Sequence, residues 1–476
     1  QILLNLTRFY INGKWVEPHS TDTFPILNPS NEAEIGQIIL GDKVDVDRAV
    51  SAAATAFDTF SVSSKSERLS LLAKLHEISV DRLEDLAQAM TREMGAPISM
   101  SRDAQAASLI GHIESFQNAL EDLVESETLP GGDLLFREPI GVCGLITPWN
   151  WPILQIGLKV IPALAAGCTC ILKPSEHAPI SASIFAELID AAGFPAGTFN
   201  LIHGKGEQVG RALAHHPDIQ MISFTGSTRA GKDVTKTAAD DIKRVTLELG
   251  GKSPNIVFAD SALEERIPAS VHECFYNSGQ SCDAPTRLIV ERSCYQKVVQ
   301  LAEQAASNQE VKDPSLEGDH IGPLFDEIQY HRVQEMIQVG IDEGATLLVG
   351  GLGRPEGING GWYVKPTVFS DVNNSMRIAQ QEIFGPVLVI IPFDDEDEAI
   401  QLANDSPYGL AAYIQTSDTK RAQRVAARLR AGQIHINGSA PNFDTPFGGF
   451  KQSGNGRESG AHGLEEYLEL KSICQN

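Results

Sequence analysis

The sequence predicts an α/β fold built on a doubly wound, mostly parallel sheet, and three observations support this. Short apolar runs alternate with helical stretches from Gly141 onward, as they do in βαβ units. These runs are continuous rather than alternating, which is typical of strands that are buried on both faces. The chain has 476 residues, more than one ordinary core holds, so we expect two or three domains.

The amino-terminal part of the chain is predicted to be mainly helical. After a short strand-like lead, apolar residues recur at helical spacing over 45–60, 66–95 and 102–123. The second stretch ends at Gly95, and Pro97 follows it, which is a helix stop signal. The next segment, SETLPGGDLLFREPIGV, breaks the helical pattern and indicates a hairpin or an arm.

Two groups of strand-like runs follow. The first group is GVCGLIT, CTCILKP, FNLIHG, MISFTG and VTLELGG. Ligands of such sheets bind beyond the carboxyl ends of the strands. The second group starts near Ser253 and contains SPNIVF, TRLIVE, ATLLVGG, FGPVLVIIPF, AAYIQT and QIHIN. The tail LEEYLELKSIC alternates, which predicts one added strand.

Charge and cysteine content argue against several classes of protein. The net charge of −24 repels nucleic-acid phosphates and anionic membranes, so we expect neither as a partner. No apolar stretch approaches the ~20 residues that span a bilayer. The amino end lacks a signal-peptide pattern, so we expect a cytoplasmic protein. Seven cysteines, an odd number, argue against a disulfide scaffold, and their spacing predicts no metal site.

Two glycine-rich turns resemble phosphate-binding motifs without matching them. GKGEQVG, with Gly204, Gly206 and Gly210, has one residue too many for a dinucleotide fingerprint. GSTRAGKD, from Gly226, has Asp233 where a P-loop needs Ser or Thr. Either motif alone is more typical of a tight turn. Both follow predicted strands and precede predicted helices, which suits phosphate binding through backbone N–H groups.

Cys282 is the candidate nucleophile. It lies in FYNSGQSCDAPTR, a loop of small polar residues between a predicted helix and the strand TRLIVE. A reactive thiol needs access and backbone dipoles that favour the thiolate. The alternative is an inert thiol in a packed core, and the neighbouring Gly279, Gln280 and Ser281 disfavour that alternative.

Two further residues each have a catalytic and a non-catalytic interpretation. Glu248 precedes a Gly-Gly turn in VTLELGG. A carboxylate there is usually solvated or ion-paired, and the alternative is a general base with a pKa raised by apolar surroundings. Asn150 lies between two tryptophans in ITPWNWP. It is either a turn former or an amide donor that stabilises a developing oxyanion.

Seven motifs occur together in an order that resembles one known family. They are PWNWP, KPSE, FTGS, LELGGK, NSGQSC, EIFGP and PFGGFKQSG, and they extend from about Gly141 to Lys451. On these motifs the chain resembles members of the aldehyde dehydrogenase superfamily. The resemblance implies a Rossmann-type cofactor domain, an α/β catalytic domain and a small oligomerisation arm. It also implies oxidation of an aldehyde to a carboxylic acid with NAD(P).

The resemblance assigns catalytic roles to the residues already singled out. It implies that Cys282 attacks the aldehyde to form a thiohemiacetal and then a thioester. The Asn150 side chain and the backbone N–H of Cys282 would hold the oxyanion. Glu248 would activate water to hydrolyse the thioester, which favours a free acid as product. Lys159 and Glu458 resemble proton-relay residues, with a surface ion pair as the alternative.

The resemblance also implies a cofactor site. Lys173 and Glu176 of KPSE would hold the adenosine ribose, and the Glu176 carboxylate would repel a 2′-phosphate, so we favour NAD and keep NADP as the alternative. Gly226 and Ser227 would bind the pyrophosphate, and Glu382 and Phe384 the nicotinamide ribose. The other cofactor residues that we expect are Ile146, Thr147, Pro148, Trp149, Ser175, Gly206, Gly210, Phe224, Thr225, Ala230, Leu249, Gly250, Gln329 and Arg332.

The substrate side is less specific. We expect Trp151, Phe443 and Phe447 to line the aldehyde tunnel, and aromatic walls suit apolar or cationic aldehydes. Asp283 follows the nucleophile directly. Its carboxylate disfavours the thiolate if it points at the sulfur, and otherwise it organises the loop or attracts a cationic substrate.

The expected domains follow the family pattern. We place the cofactor domain at 1–118 and 140–251, and the catalytic domain at 252–456. The arm combines 119–139 with 457–476. An arm without its own core is best explained by packing on another subunit, so we expect a homodimer or a homotetramer.

Overall fold

The computed structural model describes residues 5–475 of the chain. In this part the strands are β1 (Phe9–Ile11), β2 (Lys14–Val16), β3 (Thr23–Leu27), β4 (Glu34–Ile39), β5 (Ser126–Thr128), β6 (Leu134–Pro139), β7 (Val142–Ile146), β8 (Thr169–Lys173), β9 (Phe199–Leu201), β10 (Met221–Thr225), β11 (Arg244–Glu248), β12 (Pro254–Val257), β13 (Arg287–Glu291), β14 (Thr346–Val349), β15 (Thr367–Ser370), β16 (Val387–Phe393), β17 (Ala411–Gln415), β18 (Gln433–Ile436), β19 (Gly454–Asn455) and β20 (Leu468–Ile473).

The α-helices of the same residues alternate with these strands over most of the chain. They are α1 (Lys43–Phe60), α2 (Lys65–Asp81), α3 (Leu83–Met94), α4 (Ile98–Met100), α5 (Ala107–Asp122), α6 (Pro152–Ala166), α7 (Pro179–Ala192), α8 (Arg211–His215), α9 (Thr228–Ala238), α10 (Leu263–Phe275), α11 (Tyr295–Ser307), α12 (Glu327–Asp342), α13 (Arg377–Gln380), α14 (Glu396–Asn404), α15 (Thr419–Arg428) and α16 (Gly460–Glu465).

The first sheet contains the runs that the sequence predicts as buried strands. Within residues 5–475 it has eight strands in the order β19-β11-β10-β7-β8-β9-β1-β2. The five strands from β11 to β9 are parallel, and β19, β1 and β2 are antiparallel to their neighbours. Helices α6 and α7 pack against this sheet and are buried almost all round, so a continuous apolar core surrounds the parallel strands. The predicted parallel sheet is therefore confirmed.

The second sheet is formed by the strands that follow Ser253. Among the described residues it has seven strands in the order β14-β15-β16-β13-β12-β17-β18. Every pair in it is parallel except β14 with β15. Helices α10 and α11 cover one face, and α12 and α14 cover the other, where they complete separate apolar clusters.

The helical prediction for the amino-terminal part needs two corrections. The stretch predicted as one helix over 66–95 is two helices, because the chain breaks at Arg82, whose guanidinium reaches Asp85 and Glu187. The predicted stop is right, since Gly95 ends α3 with a left-handed φ of 84°. The stretch predicted over 102–123 begins as a π-helical turn, Ser101–Ala106, before α5.

A third sheet joins two distant parts of the chain. Its order is β20-β6-β5, and both pairings are antiparallel. The tail strand predicted from LEEYLELKSIC is confirmed as β20, and the segment predicted as a hairpin or an arm supplies β5 and β6. These strands lie in the ranges that we assign to the arm, and the division into domains stays a prediction. Over residues 5–475, every helix is too short or too polar to cross a bilayer.

Candidate active site

Four adjacent parallel strands end at residues that the sequence links to chemistry. Ile146, Lys173, Thr225 and Glu248 are the last residues of β7, β8, β10 and β11. Thr225 is paired with Glu248, and Ile146 with Lys173, so all four strands end at one edge of the sheet. The loops that leave this edge carry most of the predicted site residues, as expected for a doubly wound sheet.

One cavity of about 190 Å³ brings the predicted catalytic groups together. Cys282, Glu248 and Asn150 all contribute to its wall, and we name it the nucleophile cavity. It is also lined by eleven of the residues predicted to bind the cofactor: Pro148, Trp149, Thr225, Gly226, Ser227, Leu249, Gly250, Gln329, Arg332, Glu382 and Phe384.

Cys282 lies on the loop between α10 and β13, and its accessibility differs from that of the other core cysteines. Cys143, Cys168, Cys170, Cys274 and Cys294 are buried, whereas Cys282 is partly exposed and faces the nucleophile cavity. The alternative of an inert thiol sealed in a packed core therefore does not describe Cys282.

The protonation of Cys282 differs from the expected one. Burial raises the pKa of the Cys282 thiol well above its ordinary value, and the nearby charges of Asp283, Glu382 and Glu248 raise it further. Burial first, and the nearby carboxylates second, outweigh the backbone N–H at Cys282, so this setting favours the thiol over the thiolate that we expected. Asp283 acts on the sulfur in the disfavouring sense that we considered.

Glu248 is a buried carboxylate in the wall of the nucleophile cavity. Its side chain is buried, and its Oε2 atom has no hydrogen-bond partner among residues 5–475. Burial raises the pKa of Glu248 well above its ordinary value, and the charge of Glu458 raises it further. The raised pKa that the sequence predicts for this carboxylate is confirmed, and burial is its main cause.

The Asn150 amide is held in a fixed orientation. Its Nδ2 donates to the backbone carbonyl of Gln280 at 3.0 Å, two residues before the nucleophile. The residue is buried between the end of β7 and Pro152, which begins α6. One amide hydrogen is used by this bond, and the second remains for a ligand of the cavity.

Lys159 and Glu458 form an ion pair inside the protein. Lys159 Nζ lies 3.0 Å from Glu458 Oε2, and it also donates to Ser223 Oγ at 2.9 Å. The surface ion pair that we considered is therefore wrong in its location, because both side chains are buried and α6, which carries Lys159, packs between the first sheet and α5. The charge of Lys159 lowers the pKa of Glu248 while that of Glu458 raises it, so the pair is electrostatically linked to the base.

A second cavity, of about 420 Å³, contains six more of the predicted cofactor residues. We name it the distal cavity, and the six residues are Ile146, Glu176, Gly206, Gly210, Phe224 and Ala230. Both near-miss glycine motifs contribute to it. The nucleophile cavity and the distal cavity flank the turn between β10 and α9, which carries Gly226 and Ser227.

Three predicted cofactor residues line neither cavity. Thr147 is buried, Ser175 accepts a bond from the backbone N–H of His177, and Lys173 donates to the carbonyls of Pro174 and Gly204. Lys173 Nζ also lies 3.8 Å from Glu176 Oε2. Lys173 therefore lies near the Glu176 carboxylate without lining the distal cavity itself.

The predicted substrate residues lie at different places. Trp151 is beside the nucleophile, since its Nε1 donates to Ser281 Oγ at 2.9 Å. Phe443 is half exposed and packs edge-on against His112 over Gly111, where a Cβ would lie 2.3 Å from the Phe443 ring. Phe447 pairs with Glu458 through backbone hydrogen bonds. None of the three lines the nucleophile cavity, and their role with substrate stays a prediction.

The sequence reasoning missed several lining residues. Phe325, Asp326 and Ile328 line the nucleophile cavity just before Gln329, and no motif marks them. The distal cavity also includes Lys205, Glu207, Arg211, Arg229, Asp233, Val234 and Thr237. Four of these lie inside GKGEQVG and GSTRAGKD, two motifs that we compared with phosphate-binding patterns without assigning their charged residues to the site.

The two cavities have the chemistry that a dinucleotide requires. Ser227 caps α9 by accepting from the backbone N–H of Ala230. The N-terminus of α9 therefore lies at the turn between the two cavities, and helix N-termini favour phosphate groups. Thr225 Oγ1 is buried without a partner in the described part of the chain, as expected of a group that awaits a ligand. The Glu176 carboxylate suits ribose hydroxyls in the distal cavity.

Comparisons with known proteins identify the family. The model of the "Aldehyde dehydrogenase family" matches residues 15–473. Among similar proteins, 3-succinoylsemialdehyde-pyridine dehydrogenase from a Pseudomonas species is 49% identical over 466 residues, 98% of either chain. An aldehyde dehydrogenase structure from Bartonella henselae has 49% identity and a TM-score of 0.97, and the match covers 99% of both chains.

A second similar structure contains ligands. It is aldehyde dehydrogenase C from Pseudomonas syringae in complex with NAD+ and octanal, with 50% identity and a TM-score of 0.97. The match covers 98% of this chain and 96% of that one. The chain therefore belongs to the aldehyde dehydrogenase family, as its motifs predicted, and is an NAD(P)-dependent aldehyde dehydrogenase.

Proposed function

We propose that this enzyme oxidises an aldehyde to a carboxylic acid through a thioester on Cys282. The observation that carries the proposal is one cavity lined by a sulfur nucleophile, an amide donor and a carboxylate base, which are Cys282, Asn150 and Glu248. An aldehyde has no alkoxide from which a hydride can leave, so a nucleophile has to add first. The three groups suit that addition and the later hydrolysis.

In the first half-reaction, Cys282 Sγ bonds to the aldehyde carbon and the carbonyl electron pair moves to oxygen. Because the pKa of Cys282 is raised, the thiol has to lose its proton before it attacks, and this proton passes to solvent, to which Cys282 is partly exposed. The free N–H of the Asn150 amide and the backbone N–H of Cys282 donate to the oxyanion. When bound, NAD+ accepts the hydride that leaves the carbon, and a thioester remains.

In the second half-reaction, Glu248 removes a proton from water, and the oxygen attacks the thioester carbon. The carbon–sulfur bond breaks, the carboxylic acid leaves, and the sulfur of Cys282 is restored. The raised pKa makes Glu248 a stronger base than a solvated carboxylate. We propose that the proton leaves Glu248 through the buried pair of Glu458 and Lys159, the two groups whose charges bear most on its pKa.

The cofactor that we propose is NAD, with NADP as the less favoured alternative. Glu176 lines the distal cavity, where its carboxylate would accept hydrogen bonds from ribose hydroxyls and repel a 2′-phosphate. The similar structure from Pseudomonas syringae, which contains NAD+, supports this choice. Octanal in the same structure makes octanal the first aldehyde to test.

We also propose that the enzyme is a homodimer or a homotetramer. The third sheet leaves β5 exposed along its length, and Leu470 on β20 is 67% exposed, a large apolar side chain that a second subunit would cover. The cytoplasmic location and the lining of the aldehyde tunnel by Trp151, Phe443 and Phe447 stay predictions.

The test is the variant Cys282→Ala, assayed with NAD and octanal by the absorbance of reduced cofactor. We expect turnover to be lost while NAD still binds with its original affinity in calorimetric titration. Cys474→Ala is the matched control, because Cys474 is exposed and remote in sequence, and it should keep full activity. Undiminished turnover of Cys282→Ala would refute the proposal.

A further inference from the structure

The nucleophile loop begins with a strained turn. Asn277 and Ser278 directly follow one another with φ of 54° and 58°, in the left-handed region that side chains with a Cβ rarely occupy. Neither residue is glycine, and both are buried. Such strain persists only where surrounding contacts over-determine it, and it occurs mainly at functional sites.

Side-chain hydrogen bonds hold this turn in place. Ser278 Oγ donates to the Gly322 carbonyl at 2.8 Å. Asn277 Nδ2 donates to the carbonyls of Asn150 and Gln280, at 2.9 and 3.2 Å. The turn is thereby bonded on one side to the backbone carbonyl of Asn150 and on the other to the segment that leads to Phe325.

Gln280 is the residue in which these connections meet. Its Nε2 donates to the Asn277 carbonyl at 3.0 Å, and its Oε1 accepts from the backbone N–H of Phe325 at 3.1 Å. Its own carbonyl accepts from Asn150 Nδ2 at 3.0 Å. The residue is 1% exposed, so water does not compete for these bonds.

Phe325 extends the connection to the wall of the nucleophile cavity. Its ring stacks on Trp149 with centroids 3.5 Å apart and planes 17° apart, and both rings line the cavity. Trp149 is the neighbour of Asn150 in the chain. The Gln280 side chain thus joins the strained turn, the cavity wall and the segment that carries the amide donor.

We propose that Gln280 is a positioning residue, which acts on the reaction through Asn150. Its side chain fastens the strained turn to Phe325 and so keeps its own carbonyl where it orients the Asn150 amide. Without the side chain, the carbonyl moves and the amide no longer directs its free N–H at the oxyanion. This inference rests on the proposed function, in which Asn150 donates to that oxygen.

The main variant is Gln280→Met, which removes both side-chain hydrogen bonds and keeps a similar volume. We expect the single-turnover rate of cofactor reduction with octanal to fall about 100-fold, the scale of a small misplacement in an active site. The Kd for NAD and the KM for octanal should stay within about threefold of the original, because the substitution changes no charge and no residue that itself lines the cavity. Gln338→Met is the matched control, since Gln338 is an exposed helix residue that should leave the rate unchanged.

A double-mutant cycle separates positioning from a general structural effect. In an Asn150→Ala background, Gln280→Met should cost less than about threefold more, because the amide that it orients is already gone. Effects of the two substitutions that multiply in full would overturn the proposal, as would an unchanged rate in Gln280→Met. Gln280→Glu keeps the acceptor for Phe325 and is the second variant if Gln280→Met does not fold. The rate of Gln280→Glu should lie between those of the wild type and Gln280→Met. In the Asn150→Ala background, this substitution should likewise slow the reaction little further.

The outcome for Cys282→Ala keeps the two proposals apart. If that variant stays active, the proposed function fails and Gln280 has no oxyanion to serve. If it is inactive while Gln280→Met reduces the cofactor at the original rate, only the positioning role is overturned.

Discussion

Lys159 and Glu458 form a salt bridge that is sealed from solvent, with Nζ 3.0 Å from Oε2 and side chains 0% and 7% exposed. Removing one partner of a buried pair leaves the other as an uncompensated buried charge, which destabilises the folded protein. The charges of this pair act on the pKa of Glu248, so they connect the proposed general base to the protein interior.

This pair gives the first prediction. Lys159→Met should lower steady-state kcat about 100-fold, the lower range for loss of assisted proton transfer, and should spare the first turnover. Stopped-flow absorbance measures both phases in one experiment. Glu458→Gln tests the same proton-transfer path by removing the charge of the second partner. A variant that loses the first turnover in the same proportion as kcat would show that the pair acts on acylation instead.

Asp283 gives a prediction about the pH at which Cys282 reacts. A negative charge disfavours the thiolate, so Asp283 raises the pKa of Cys282, and Asp283→Asn should lower that pKa. The midpoint of the pH profile for iodoacetamide alkylation should therefore move to lower pH. Asp218→Asn, an exposed carboxylate, is the control. An unmoved midpoint in Asp283→Asn would mean that its carboxylate faces away from the sulfur.

Glu176 gives a prediction about cofactor choice. Glu176→Ser removes the carboxylate that would repel a 2′-phosphate, so kcat/KM for NADP relative to NAD should rise about tenfold or more. The measurement is the ratio of the two kcat/KM values with octanal. Glu335→Ser, on the exposed face of α12, should leave the ratio as it is. A ratio that does not change in Glu176→Ser would place the adenosine ribose elsewhere.

Glu93 gives a prediction about stability. This residue lies in α3, and its fully buried carboxylate reaches the N-terminus of α7. There it accepts from the backbone N–H groups of Ile180 and Ser181. Burial raises the pKa of Glu93 to about 7, so the folded state holds this proton more tightly than the unfolded state. The stability that this group contributes is therefore present below its unfolded pKa and is lost as pH rises through about 7.

The measurement is the Tm of the wild-type protein and of Glu93→Gln across that pH window. The wild-type Tm should fall, relative to that of Glu93→Gln, as pH increases from about 5 to about 8. Glu303→Gln, an exposed carboxylate on α11, should keep a constant difference from the wild type. A constant difference for Glu93→Gln as well would mean that the Glu93 pKa is not raised by folding.

Much of the fold was predictable from local pattern. The runs that became β7, β8, β10 and β11 are continuous and apolar, and burial on both faces leaves such runs few alternatives. The break at Arg82 was not predictable, because the helical spacing of apolar residues continues across it and the contact of Arg82 with Glu187 joins residues more than a hundred positions apart in sequence. The same holds for β19, whose two residues carry no pattern and pair with β11 only in the folded chain.

The site shows the same division. Cys282, Glu248 and Asn150 were identifiable because each lies in a short motif at the end of a strand or on a polar loop. The burial of Lys159 with Glu458 was not, since helix α6 and the carboxyl-terminal region meet only through tertiary packing. Only the Asp283 contribution to the raised pKa of Cys282 was foreseeable, because the burial of the thiol and the approach of Glu382 and Glu248 depend on tertiary packing.

The most direct test of the account is the mass of the Glu248→Gln variant quenched shortly after mixing with NAD and octanal. Because this variant keeps the nucleophile and loses the base for hydrolysis, an octanoyl group should accumulate, and peptide mapping should place it on Cys282. Reduced cofactor should appear in a burst that matches the amount of acylated protein. Cofactor reduction without any adduct, or with an adduct on another residue, would contradict a thioester on Cys282.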